Sequence, residues 1–212
     1  MNMRLIANVL GLTVLGAGLV FGDTIGNPVI ERVDHDTCVG CSFALATPFA
    51  PASGTLSTWS FFADTTGRSI TPILYTLTGG QFDIVGIGTT RTVTTLGVNT
   101  DPFGLVTGTD AVTGSNFYFG YRDGGAIFGT GNEGTVSLSY TSTGTLMYYF
   151  GNGSPDGPEN VGISVGQTML GGGLLQRNYS ISATTVPEPM TASVAVFGLL
   201  ALGFLGRRFS RR

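Results

Sequence analysis

At 212 residues the chain has room for one medium domain plus processed ends, with a core large enough to need no metal or disulfide staple. Only 11% of residues are charged, glycine reaches 34 and threonine 29, and all ten basic residues are arginine, a composition that favours strands and turns over amphipathic helices. From residue 23 to 187, five scattered arginines (32, 68, 91, 122, 177) against twelve acidic residues exclude a nucleic-acid surface, which needs clustered cations, and fit a secreted or surface protein.

In chain order, a lone Arg4 precedes an apolar stretch from Leu5 to Phe21, and Val20-Phe21-Gly22 offers a small-residue cleavage context before Asp23. Residues 1–22 therefore read as a helical signal peptide for the export machinery. No cysteine follows it closely, which argues against a lipid-modified N-terminus. The body is expected to span residues 23–185.

Cys38-Val39-Gly40-Cys41 is the only cysteine pair, and export into an oxidising compartment predicts a Cys38–Cys41 disulfide that pins the loop from Asp34 to Ser42. A redox motif would need a βαβ setting, and c-type haem attachment would need a histidine where Ser42 stands. His35, Cys38 and Cys41 with Asp34 or Asp36 would make a zinc set, but the spacing is not that of a known finger. No metal and no cofactor are expected.

Alternating or aromatic-rich runs then recur at short intervals. Strands are expected at Thr55–Ala63, Ser69–Leu77, Gln81–Ile87, Arg91–Val98, Phe103–Val106, Asn116–Arg122, Thr135–Tyr140, Leu146–Phe150 and Arg177–Thr184. Thr78-Gly79-Gly80 and Asp123-Gly124 read as hairpin turns. In the run from 116 to 122, period two assigns Phe117, Phe119 and Tyr121 to the core. The glycine- and proline-rich region 151–175 reads as a long connection. No fixed-period repeat is visible, so the pattern predicts an all-β fold, an antiparallel β-sandwich or jelly roll.

Trp59 is expected in the core, with a sugar-stacking platform as the alternative; Tyr148 and Tyr149 are the second candidate glycan contact. Thr90, Thr92 and Thr94 make a single threonine row, read as an ordinary outer strand because ice adsorption needs such rows on several strands. One histidine and no lysine leave few bases for a nucleophile, so no catalytic residue is expected. The body is read as a non-enzyme.

The C-terminus has three parts: Val186-Pro187-Glu188-Pro189, an uncharged apolar run at 190–206, and a tail at 207–212 with Arg207, Arg208, Arg211 and Arg212. Seventeen residues without charge make a helix of roughly 26 Å, just long enough to span a thin bilayer, and the arginines would hold the tail in the cytoplasm. The alternating prolines force an extended segment on the outer side. This tripartite tail, residues 186–212, resembles the PEP-CTERM sorting signal of Gram-negative bacteria. The resemblance implies recognition by exosortase, an integral membrane cysteine transpeptidase, removal of the transmembrane helix near the motif, and delivery of the body from the inner membrane to the outer envelope or extracellular matrix. The ice-binding label sometimes attached to such tails belongs to the sorting segment alone. The expected role is structural or adhesive; a carbohydrate-binding module for exopolysaccharide is the alternative, and a polysaccharide hydrolase with two facing carboxylates comes third.

Overall fold

A chain with 34 glycines and few charges has little to stabilise helices, and the described residues contain none. The computed structural model describes residues 22–35, 41–49, 54–123, 139–141, 147–150, 163–169 and 173–187. Its strands are β1 (Thr24–Gly26), β2 (Asp34–His35), β3 (Ser42–Leu45), β4 (Gly54–Ala63), β5 (Ser69–Thr78) and β6 (Gln81–Gly88). There follow β7 (Arg91–Thr92), β8 (Gly97–Pro102), β9 (Leu105–Gly108), β10 (Ala111–Val112) and β11 (Phe117–Asp123). The last are β12 (Ser139–Thr141), β13 (Met147–Tyr149), β14 (Thr168–Met169), β15 (Gly173–Leu175), β16 (Asn178–Tyr179) and β17 (Ile181–Pro187).

All pairings among the described residues are antiparallel, and the fold is all-β and sandwich-like. The first sheet runs β1-β17-β4-β10, with β8 also on β4; the second runs β14-β6-β5-β11-β3-β13-β15, with β7 on β5 and β9 on β6. β16, β12 and β2 form a small third sheet. The Thr78-Gly79-Gly80 hairpin forms as expected: Thr78 pairs with Gln81, and both intervening glycines have positive φ, 60° and 85°. Such a turn matches the right-handed twist of the strands it joins.

The inner faces of the two large sheets share one apolar cluster. Trp59 and Phe61 of β4 and Ile181 and Ala183 of β17 meet Phe43 of β3, Leu74 of β5, and Phe119 and Tyr121 of β11. Trp59 stacks on Phe61 at 4.7 Å and reaches Phe119 across the interface at 6.2 Å. Phe43 stacks on Tyr121 at 5.0 Å. Aromatic pairs of this kind add about 0.5–1.5 kcal/mol each beyond the area they bury. The alternation expected for β11 holds, with Phe119 and Tyr121 buried and Phe117 packed against the same cluster.

The second sheet also has a covered outer face. Ile73 and Tyr75 of β5, Phe82 and Ile84 of β6, and Tyr118 of β11 pack with Phe150, Ile163 and Met169. Within the region expected to be a long connection, Ile163 and Met169 thus supply apolar contacts, and Thr168–Met169 and Gly173–Leu175 form the strands β14 and β15.

Two expected strands are broken. Arg91–Val98 divides into β7 and the start of β8 because Val93 turns into the core, exchanging bonds with Arg68 O and Gly67 N, and Asn99 Nδ2 bridges Thr95 O and Gly97 O. Arg177–Thr184 serves two sheets, as β16 and β17, because Ser180 bends the chain: its hydroxyl donates to Ile30 O and accepts from Arg32 Nε at 2.7 Å. Phe103 lies before β9 and links the sheets, donating to Ser57 O and accepting from Thr89 N. Gly124 and the turn it was expected to make lie outside the described residues, as do residues 135–138 of the expected Thr135 strand.

Candidate functional site

Trp59 is 1% exposed, its ring faces enclosed between the sheets, so it is no surface platform for a sugar. The physical reason is parity: Trp59 shares a face with Phe61 and Ala63, all buried, whereas Thr58 and Ser60 point outward. Tyr148 lies on the covered face of the second sheet, half-buried against Phe82 at 4.6 Å. Tyr149 belongs to β13 on the opposite parity, and its side chain lies outside what is described.

Cys41 is disulfide-bonded and fully buried, which removes it from any thiolate zinc set; Cys38, the only other cysteine, lies outside the described residues. Asp34 and His35 form β2 against β12. Among the described residues no three His, Cys, Asp or Glu side chains converge as a metal set. Thr90 and Thr92 are engaged internally, bonding Thr71 at 2.7 Å and Ser69 at 3.4 Å.

Residues 1–21 of the expected signal peptide 1–22, Glu188, Pro189, the apolar run 190–206 and the four terminal arginines lie outside the described residues. Among the described residues no helix is long and apolar enough to cross a membrane. Val186 and Pro187, in contrast, complete β17 and pair with Thr55 and Gly54 of β4. On the other side of β17 runs β1, with Thr24 opposite Thr184. Asp23 clasps the same point: its N–H donates to Thr185 Oγ1 at 3.1 Å, and its carbonyl accepts from Thr185 N at 2.8 Å. The residue after the expected signal cut and the first residues of the expected sorting motif therefore sit side by side at one end of the first sheet.

The outer face of that sheet mixes hydroxyls with the exposed apolar side chains of Val98 and Val186. Thr24, Thr184 and Thr58 align across β1, β17 and β4, and Ser182, Ser60 and Thr100 align across β17, β4 and β8. Thr24 and Thr184 share a hydrogen bond of 3.0 Å, and Ser60 and Thr100 one of 2.8 Å. Strand geometry spaces such rows by about 4.8 Å across strands and 6.7 Å along them. The outward positions of these four strands carry no charge.

Sequence reasoning missed a polar group on the covered face of the second sheet. Arg122 continues the even positions of β11, which the alternation left to the far side, and it is 2% exposed. Nothing in the sequence signals that both faces are covered, so an arginine there reads as a solvated residue. Burial pushes its pKa down, and burial pushes the Tyr75 phenol up, so Tyr75 is a neutral hydroxyl through the physiological range. No family model matches the chain, and no curated protein matches it in sequence.

Proposed function

We propose that this is an exported, non-enzymatic protein of the envelope or extracellular matrix with a structural or adhesive role. Its body is a β-sandwich or jelly roll, held by its C-terminal helix until an exosortase-like membrane transpeptidase cuts near Pro187-Glu188-Pro189. The observation that carries the reading is the pairing of β1 with β17. A body whose two ends leave at one point can hang from a single membrane by both apolar segments, and loses neither edge of its core when both are removed. Val186 and Pro187 pair with Thr55 and Gly54, and a proline at that place cannot donate a ladder bond, which supports reading the motif as a boundary of the sandwich.

The uncharged face of the first sheet, hydroxyls with exposed Val98 and Val186, supports adhesion to a neutral polymer. The burial of Trp59 weighs against the carbohydrate-binding alternative in its usual form, which stacks pyranose rings on exposed aromatics. The deciding experiment is intact-mass and C-terminal peptide analysis of protein recovered from the envelope and medium of the native host. A C-terminus within residues 187–189 is expected; an intact Arg212 found only in membranes would overturn the sorting reading.

A further inference from the structure

The strands β5, β11 and β3 bring an unusual set of side chains together on the covered face of the second sheet. Arg122 stands opposite Ser42 on one side and Thr71 on the other, so all three share that face. Tyr75 reaches the same place over Gly120. A Cβ on Gly120 would lie 2.6 Å from Tyr75 Cε2, which means the bare glycine is what lets the ring cross β11. Phe150 closes the far side, its ring 5.6 Å from that of Tyr75 and its N–H bonded to Ser42 O at 3.0 Å.

Within this enclosure Nε and Nη1 of Arg122 are buried without a hydrogen bond, and the buried Tyr75 and Ser42 hydroxyls beside them lie close enough to interact with each other. Thr71 is satisfied by Thr90 and offers nothing further. A guanidinium removed from water without an anion is among the most unfavourable arrangements a core can hold, and each unmade hydrogen bond adds to it. Neither hydroxyl can neutralise it, since serine does not ionise and Tyr75 is held neutral. The group supplies one positive charge and hydroxyl donors on two further strands, which is the donor set of an anion site. Tyr75 and Ser42 are fully buried, so a ligand reaching all three groups must itself be small.

We propose that Arg122, Tyr75 and Ser42 form an internal binding site for a small monoanion, a halide or a short carboxylate, which completes the second sheet's covered face.

The test is thermal unfolding of the full chain in detergent, titrated with sodium chloride, bromide or acetate, beside R122M and S42A. The wild type is expected to gain stability along a saturating curve, as a ligand bound only by the folded state requires. R122M, with the charge removed at similar length, should show no saturable gain and start at or above the wild-type midpoint at the lowest anion concentration. S42A should fold normally and need on the order of ten-fold more anion, the loss expected for one hydrogen bond to a charged partner. Bromide in crystals should give an anomalous peak within hydrogen-bond reach of Arg122. A wild-type curve no steeper than that of R122M, or water alone beside Arg122 in the bromide crystals, would overturn the site.

Discussion

Adding one methyl group at Gly120 tests the packing of the second sheet most sharply. Its Cβ would lie 2.0 Å from Phe43 O, 2.9 Å from Ala44 Cα and 2.6 Å from Tyr75 Cε2. The first two are backbone atoms of β3, a four-residue strand held on its other side by β13, so a side-chain rotation cannot relieve them. Relief requires β3 to move by about an ångström, which strains the core by about 1–3 kcal/mol. It also weakens one or two ladder bonds, each worth about 1 kcal/mol. The total for Gly120→Ala is about 2–5 kcal/mol, or roughly 5–15 °C in midpoint for a domain of this size. Gly173→Ala is the control, because nothing lies within 4 Å of its Cβ position and the change should stay within about 0.5 kcal/mol. Thermal and urea unfolding of both variants followed by far-UV circular dichroism reads the difference. A Gly120→Ala midpoint within 2 °C of wild type, on the order of the control's shift, would refute the close approach of β3 to β11.

Other perturbations probe other layers. Trp59→Ala should lose about 3–5 kcal/mol of stability while leaving any glycan retention untouched, measured by urea unfolding and affinity electrophoresis. An unchanged unfolding midpoint would return Trp59 to the surface. Tyr75 has its pKa raised in the folded state, so the native form keeps a proton that the unfolded chain loses above about pH 10. Stability should therefore be unaffected by this group below that pH and fall above it by up to about 1.4 kcal/mol per pH unit. Tyr75→Phe should flatten that alkaline slope, and a slope equal to wild type would show the phenol to be solvated. Reduction of the bond at Cys41 should lower stability by about 2 kcal/mol without unfolding the sheets, seen as a shifted urea midpoint with unchanged far-UV signal.

The parts legible in the sequence are those governed by local rules. The alternation in Phe117 to Tyr121 and the glycine pair at 79–80 need only neighbours two or three residues away, and both stand as expected. Thr55–Ala63, Ser69–Leu77 and Gln81–Ile87 are long enough for their period to be unambiguous, and they are β4, β5 and β6 to within a residue or so. The rest depends on distant partners. β10 and β14 are two-residue strands that exist because the long strands β4 and β6 lie alongside, and their own sequences carry no period. Val93 leaves the expected strand because a core site between the sheets accepts it, and Ser180 breaks another because Ile30 and Arg32 reach it from about 150 positions away. Arg122 was the least readable of all. Its environment is set by Phe150 and Tyr75, which no spacing rule places beside it.

The neighbouring exit of the two ends has a mechanical side. Tension applied between them falls across the β1–β17 pair at right angles to the strands, where three register positions open one after another like a zip and resist only weakly. Tension applied between the C-terminal end and a polymer held on the hydroxyl face runs instead along β17, which is bonded over seven residues to β4 and must shear all of them together. A body anchored by its last strand is therefore strong in the direction in which an adhesive would be pulled.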